Sequence, residues 1–232
     1  MADYGLKVIT PSDEIQIDSL YRNLCKDQEG TNTIANGNTV DNYFTAIPIT
    51  SSSLPPLILV RPGTDFFVTV QGYDKTVDDY TAFRMATENN QSTIIDWICC
   101  RETPDVSGET YGLRVYNSGG NLVFDSGERY PKVRSVYTFA VDSPSATTAY
   151  PYVDISHPDT SDPFYILAPG SFYLLCETAP VGYYAYYGKI GIKKLSATSV
   201  RVGWFSYGSN TVDSLLDEGI YNPQQKLIVC EA

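Results

Sequence analysis

The sequence predicts an all-β protein built as two tandem β-sandwich-like domains. The chain contains 19 Tyr and nine Phe against only two Met, and aromatic side chains pack well on the pleated, half-buried surface of a sheet. Apolar and polar residues alternate over many short stretches, which is the pattern of a strand with one buried face. The third observation, a pattern of residues that occurs twice, predicts the division into two domains.

The repeated pattern relates residues 4–22 to residues 111–129. Both stretches contain Tyr-Gly-Leu, Val, Asp-Ser and Arg without a gap, at the offset of 107 residues that separates Tyr4 from Tyr111. The same offset relates further pairs: Tyr43 and Tyr150, Pro56 and Pro163, Tyr80 and Tyr187, and Trp97 and Trp204. One offset kept along the chain indicates a tandem duplication. We therefore predict domains at 1–107 and 108–232, with both Trp residues buried at equivalent places.

Each copy is predicted to open with a β-hairpin. In the second copy, residues 118–121 (Ser-Gly-Gly-Asn) tolerate the positive φ of a tight turn. In the first copy, residues 11–14 (Pro-Ser-Asp-Glu) make the turn because proline presets φ. The residues expected on one face of the second hairpin are Leu113, Val115, Leu122 and Phe124.

Short runs separated by Gly and Pro predict the remaining strands, at a spacing typical of a sandwich or barrel. In the first copy these runs are 43–49, 57–60, 66–71, 80–85 and 93–99. In the second copy they are 135–141, 165–167, 171–177, 183–195, 199–205 and 226–229. The one helix-like piece, at 211–218, is at most about two turns long.

The C-terminus carries a weaker third trace of the hairpin pattern. Residues 220–229 resemble residues 115–124 without the Tyr-Gly-Leu opening, and Cys230 stands where the motif has Asp. If this trace is a true third copy, Leu227 and Val229 face the core. The segment then closes an otherwise unpaired sheet edge of the second body.

Charge and composition exclude several classes of function. The net charge is −11, which disfavours nucleic acid because phosphate binding needs a basic surface. No apolar run is long enough to cross a membrane, and the first residues lack the parts of a signal peptide, so we expect synthesis in a cytoplasm and no membrane insertion. The chain has one His and five scattered Cys, so we expect no disulfide, metal or cofactor. The cysteines are Cys25, Cys99, Cys100, Cys176 and Cys230.

No group of residues forms a catalytic signature, and we expect no enzyme. The only His, His157, falls in a loop-like stretch of the second copy, and no nucleophile or phosphate-loop motif is present. Asp18 and Asp125 are each followed directly by Ser, and an Arg comes three residues after that Ser. We expect each to cap its hairpin exit and to pair with Arg22 or Arg129, calcium binding being the alternative.

The best candidate for an interaction surface is a tyrosine-rich strand at 182–189. Strand alternation places Tyr184 and Tyr186 on one face and Tyr183 and Tyr187 on the other. Exposed tyrosines there would suit a protein interface or stack on sugar rings. The alternative is that these rings pack in the core or between subunits.

Residues 111–130 resemble the opening of small proteins encoded among the tail genes of tailed bacteriophages. Those proteins carry Y-G-L-x-V-x-N-x-x-G, then F-D-S and an Arg. The second copy has the whole pattern, whereas the first departs from it at Thr10, Asp13 and Ile17. The resemblance implies a place in the virion tail, with assembly in the host cytoplasm.

Composition and resemblance together predict a non-enzymatic virion structural protein at the tail tip, the baseplate or the fibre attachment region. Its expected partners are other phage tail proteins, within a symmetric multimeric assembly. Two alternatives remain open: a carbohydrate-binding module that contacts a host-surface glycan, and a capsid decoration protein. A glycosidase that uses a pair of carboxylates is a more distant one.

Overall fold

The computed structural model describes most of the chain and shows an all-β protein. The described residues are 7–9, 15–18, 24–35, 44–88, 91–102, 107–141, 151–167, 172–178, 183–212 and 224–231. They form 17 strands and no helix, so the predicted fold class is confirmed. The helix-like piece is wrong at 211–212, which end a strand, and its remainder lies outside the described residues. None of the described residues form a helix able to span a bilayer.

Eight strands precede residue 107 and nine follow it. The first eight are β1 (Lys7–Ile9), β2 (Ile15–Asp18), β3 (Leu24–Ala35), β4 (Thr45–Ser52), β5 (Leu57–Arg61), β6 (Val68–Lys75), β7 (Tyr80–Thr87) and β8 (Ser92–Glu102). The others are β9 (Arg114–Tyr116), β10 (Leu122–Asp125), β11 (Lys132–Ala140), β12 (Tyr152–Ser156), β13 (Phe164–Leu167), β14 (Phe172–Thr178), β15 (Tyr183–Ser196), β16 (Ser199–Val212) and β17 (Gln224–Glu231).

Two large sheets make up the body of the sandwich. One has six strands in the order β11-β17-β13-β5-β8-β3, and the other has the order β12-β16-β15-β6-β7-β4 with β14 also paired to β15. One apolar core joins the two sheets, and within it the ring of Phe83 meets Trp97 edge to face at 5.2 Å. The hairpins β1–β2 and β9–β10 are separate two-stranded sheets.

Both large sheets continue from one half of the chain into the other. The halves meet where β5 pairs with β13 through Val60 and Tyr165, and where β6 pairs with β15 through Val68 and Ile192. We call this junction the seam. Each sheet has three strands of the first half on one side of the seam and three strands of the second half on the other. The second of the two sheets also contains β14, which pairs with β15. The core cluster contains residues from both halves.

In the six-stranded sheet the two halves have matching registers. Trp97 in β8 lies opposite Gly30 on one side and Val60 on the other. Leu227 in β17 lies opposite Tyr137 on one side and Leu167 on the other. These two residues stand 107 positions after Gly30 and Val60. The place of β8 in the first half is therefore taken by β17 in the second. This match is what a duplication predicts, and the duplication stays an inference from the sequence, as does the boundary at 107/108.

The two Trp residues do not occupy equivalent places. Both are buried, but Trp97 lies in the six-stranded sheet and Trp204 lies in β16 of the opposite sheet. The prediction that they are equivalent is wrong because the second half contains the additional strand β14. The later strands β15, β16 and β17 are thereby displaced by one place in the order.

The C-terminal segment is a central strand rather than a hairpin at an edge. β17 pairs with β11 on one side and with β13 on the other. Leu227 and Val229 are completely buried, so the prediction that they face the core is confirmed. Residues 213–223, which would complete a third hairpin, lie outside the described residues.

The predicted face of the second hairpin is partly wrong. Val115 and Leu122 are buried as expected, but Leu113 is exposed and Val123 is completely buried. The register between β9 and β10 slips between Leu122 and Phe124, so Val123 is an extra residue in the ladder. Such a bulge disrupts the strict alternation on which the prediction rests.

Candidate functional site

The hairpin β9–β10 is organised around a buried carboxylate. Asp125 is 2% exposed, and its Oδ2 accepts hydrogen bonds from Arg114 Nε at 2.9 Å and from the backbone N and Oγ of Ser107 at 3.0 Å. Its Oδ1 accepts a bond from the Gly127 backbone N at 2.9 Å. A buried charge needs such partners because desolvation disfavours the ionised form. The carboxylate is therefore the centre of a satisfied ion network.

The network keeps Asp125 ionised. Burial acts to raise the pKa of this carboxyl, but the hydrogen bonds from Gly127, Arg114 and Ser107 outweigh burial and hold the pKa well below its usual range. An acid with so low a pKa has no proton to donate near neutral pH. Asp125 therefore serves to fix the hairpin and is unsuited to general acid catalysis.

The partner of Asp125 differs from the predicted one. The sequence predicts Arg129, whereas the structure pairs Asp125 with Arg114, which lies directly opposite it across the hairpin. Cross-strand neighbours of opposite charge are well placed to pair, and the alternation of the hairpin contained this signal. The Arg129 backbone carbonyl instead accepts a 2.7 Å bond from the Lys26 backbone N in β3.

The Gly and Ser residues of the motif hold the open end of this hairpin. Gly112 has φ = 138°, a conformation that favours glycine, and a Cβ there would collide with Ser126 Oγ. Ser126 Oγ accepts a 2.8 Å bond from the Leu113 backbone N, and the Ser126 N donates to the Leu113 carbonyl at 2.9 Å. The residues that define the motif thus make the contacts that shape the hairpin.

The first hairpin repeats the backbone pairing of the second. Lys7 lies opposite Asp18 in β1–β2, as Arg114 lies opposite Asp125 in β9–β10, and each ladder contains a register slip. The expected contact of Asp18 with Arg22 lies outside the described residues.

Three large apolar side chains of the second hairpin segment are exposed. Tyr111 is 84% exposed, Leu113 is 47% exposed and Tyr116 is 49% exposed; we call these three residues the hairpin surface. In the same segment, Phe124 stacks on Tyr130 with ring centroids 5.0 Å apart, and the Tyr130 hydroxyl accepts a bond from the Asp125 backbone N. Exposed apolar side chains on a fixed element are a common feature of interaction sites.

The predicted tyrosine surface is located only at the level of the backbone. Tyr183, Tyr184, Tyr186 and Tyr187 lie in β15, which pairs there with β14 on one side and β16 on the other. Their side chains lie outside the described residues. The prediction that they form an interaction surface stays a prediction.

His157 is part of the internal packing of the second half. It is 2% exposed, its Nδ1 lies 3.0 Å from the Thr160 carbonyl, and its Nε2 lies 2.6 Å from the Tyr165 hydroxyl. The geometry fits an Nδ1–H that donates to the carbonyl and an Nε2 that accepts from tyrosine. Both ring nitrogens are thus used to hold the loop that joins β12 to β13.

All four described cysteines are buried, and Cys99, Cys100 and Cys230 are free thiols. Burial raises the pKa of Cys100 to about 12 and that of Cys230 to about 11. A thiol with such a pKa is a poor nucleophile near neutral pH. Cys176 lies in the part of the chain whose side chains are not described. Among the described residues, no group of three or more His, Cys, Asp or Glu could hold a metal ion.

Fold and hairpin together define the class: an all-β, sandwich-like protein whose two halves share both large sheets. No family model matches the chain. No curated protein and no solved structure matches it either.

Proposed function

We propose that the chain is a non-enzymatic structural protein of a bacteriophage virion, at the tail tip, the baseplate or the fibre attachment region. It acts by docking onto another tail protein through the hairpin surface formed by Tyr111, Leu113 and Tyr116. The observation that carries this proposal is the exposure of these three side chains on a hairpin that a buried ion network holds in place.

The rigidity of the hairpin supports a role in docking. Association costs conformational entropy, and a surface that is already ordered loses less of it. The Asp125–Arg114 pair fixes the hairpin from inside, so its exposed side chains need little further ordering. Tyrosine suits this task because it offers a large amphipathic contact area and is enriched at interfaces.

The resemblance to phage tail proteins supports the same role. The residues that carry it include Gly112, Asp125 and Ser126, and these are among the residues that shape the hairpin. The shared feature is thus a device for presenting a surface. In the proposed assembly several copies surround the tail axis, and each docks through its own hairpin.

Labelling of particles tests the location. Antibodies against the purified chain should mark the tail end of particles of the phage whose genome carries this sequence. Label spread over the head would contradict the proposal and favour a capsid decoration protein. Particles without any label would contradict a place in the virion.

A paired substitution tests the surface. The double variant Tyr111→Ala/Tyr116→Ala should fold with an unchanged melting temperature and lose incorporation into particles. Val77→Ala is the matched control, because Val77 is 92% exposed but lies in the first half between β6 and β7. Full incorporation of the double variant would refute docking through the hairpin. If the unsubstituted chain binds to a glycan array and the double variant does not, the carbohydrate-binding alternative is favoured.

A further inference from the structure

An apolar cavity of about 180 Å³ lies at the seam. Ile58 and Leu167 line it from the six-stranded sheet, and Val70, Met85 and Ile192 line it from the opposite sheet. Its wall therefore combines strands of both halves. None of the residues of the hairpin surface lines it.

The cavity follows from the way in which the halves meet. Among the described residues, β5 and β13 share one bridging pair, Val60 with Tyr165, and β6 and β15 share one, Val68 with Ile192. Elsewhere in these sheets, neighbouring strands are joined by several successive pairs. Interiors are otherwise filled to near-crystalline density, and a junction held by single pairs leaves space beside them.

One residue of the cavity wall carries a polar atom that has no partner among the described residues. Gln71 lines the cavity, and its side-chain Oε1 is buried with no hydrogen-bond partner among the described residues. The Gln71 backbone carbonyl, in contrast, accepts a 2.9 Å bond from Lys189 Nζ. A buried acceptor without a donor is unfavourable, and a turn of the Gln71 side chain towards the cavity would let a ligand that carries a donor satisfy it.

We propose that this cavity is a binding site for a small, largely apolar molecule with a single hydrogen-bond donor directed at Gln71 Oε1. Cavities of roughly 150 Å³ with aliphatic and aromatic walls stay dry and accept benzene, so the seam cavity suits a molecule of about one aromatic ring. The site is independent of the proposed docking role, and either can fail without the other.

Binding at the seam would hold the two halves together. The ligand contacts strands of both halves, and it binds the folded chain but not the unfolded one. It therefore stabilises the shared core in proportion to its concentration.

The test uses the full chain with phenol and toluene as probes, followed by NMR of the methyl groups. Signals of Ile58, Met85, Leu167 and Ile192 should shift and saturate with either probe. Those of Leu54, which is exposed elsewhere in the first half, should not move. If no cavity methyl shifts up to the solubility limit of both probes, the site does not exist.

Substitution of Gln71 separates the hydrogen bond from the cavity. Gln71→Met keeps the length of the side chain and removes the acceptor. It should lower the affinity for phenol roughly fivefold, the effect of one net hydrogen bond. The affinity for toluene should not fall, because toluene has no donor. Unchanged phenol affinity would refute the part assigned to Gln71.

Two filling variants, one from each half, test the location. Val70→Phe and Leu167→Phe should each abolish binding of both probes. Val136→Phe adds the same ring at a position in β11 that is 53% exposed, and it should bind as the unsubstituted chain does. If a folded filling variant binds both probes with unchanged affinity, the cavity is not the site. Should one filling variant not fold, the other and Gln71→Met still decide.

Discussion

The two halves of the molecule build equivalent units of the six-stranded sheet from different parts of their sequence. In the first half, β8 follows β7 and lies between β3 and β5. In the second half, β17 comes from the C-terminus and lies between β11 and β13. The comparison teaches that a constant sequence offset identifies related strands only until an additional strand intervenes.

At equivalent positions of the two units, a pair of facing residues is small and large in one half and large and small in the other. In the first half Gly30 lies opposite Trp97, and a Cβ on Gly30 would come within 2.9 Å of the Trp97 ring. In the second half Tyr137 lies opposite Leu227. A core tolerates such exchanges when its total volume is kept, so the two units fill similar space with different residues.

Removal of the C-terminal strand should have the largest effect. A chain that ends at Glu218 lacks β17, including the fully buried Leu227 and Val229. Truncation of a single buried leucine costs about 2–5 kcal/mol. The free-energy cost of removing a whole central strand therefore exceeds the usual free energy of unfolding of a domain, about 5–15 kcal/mol. We expect aggregation or loss of cooperative thermal unfolding, measured by circular dichroism.

The matched control for this truncation is a chain that ends at Glu231 and loses only the last residue. It should unfold like the full chain. If the chain that ends at Glu218 also does so, β17 is dispensable and the equivalence of the two units fails.

Asp125→Asn should have the second largest effect. Removing the charge weakens the hydrogen bonds from Arg114, Ser107 and Gly127, and hydrogen bonds to a charged group contribute about 1.5–3 kcal/mol. Chemical denaturation measures the loss, and Asp18→Asn, the corresponding change in the first hairpin, shows whether the repeat extends to this ion. A loss below about 0.5 kcal/mol, the range of ordinary surface substitutions, would show that the network does not stabilise the chain.

The same carboxylate predicts a pH dependence. Because the folded pKa of Asp125 is lowered, its stabilising contribution is complete above the ordinary pKa of about 3.9 and is lost as the pH falls from there towards the folded pKa. The difference in unfolding free energy between the unsubstituted chain and Asp125→Asn should therefore shrink in acid below that pH. A difference that stays constant down to acid unfolding would contradict the assignment.

The strands that could be predicted are those rich in apolar residues. β5 and β8 fall where expected, β16 begins where expected but continues to Val212, and β3 and β12 are absent from the prediction. β3 contains residues 27–32, Asp-Gln-Glu-Gly-Thr-Asn, which are polar because this strand forms an edge of its sheet. An edge strand needs few apolar residues, so its composition is typical of a loop.

The seam and the site were harder to predict. A sequence offset shows that two stretches are related but not that β5 and β13 pair, because that pairing depends on the packing of both sheets. The Arg114–Asp125 pair, in contrast, could be derived from the register of the hairpin. The exposure of Tyr111 could not, because alternation does not say which face another element covers.

Gly30→Ala tests the exchange of volumes directly. The added methyl group would collide with Trp97, and overpacking of this kind costs about 1–3 kcal/mol. In a Trp97→Leu background, which imitates the pair in the second half, the same change should cost less than about 0.5 kcal/mol, as at a site without such a collision. Denaturant titration of the four chains gives the coupling.

Gly72→Ala is the control for this cycle, because an added Cβ there meets no atom within 4 Å. Its cost should be the same in both backgrounds. Equal costs of Gly30→Ala in both backgrounds would show that the large and small residues do not compensate each other.

The smallest expected effect concerns two arginines, one in each half. Arg84 lies over the Phe44 ring at 4.2 Å and pairs with Asp74, and Arg201 lies over Tyr152 at 3.7 Å and pairs with Asp154. Lysine keeps the charge but loses the planar stacking. Arg84→Lys and Arg201→Lys should each cost less than about 1 kcal/mol at such partly exposed sites. A loss several times larger in one half alone, seen in the denaturation midpoint, would show that the two contacts differ.

The central claim is that the two halves fold as one body through the seam. Each half contains one Trp, so Trp97→Phe leaves a reporter in the second half and Trp204→Phe leaves one in the first. For each variant, tryptophan fluorescence and far-ultraviolet circular dichroism are followed through one denaturant titration. The claim predicts that the two signals coincide in midpoint and slope for both variants. Fluorescence transitions separated from the circular dichroism transition, early in one variant and late in the other, would show that the halves unfold independently and would contradict it.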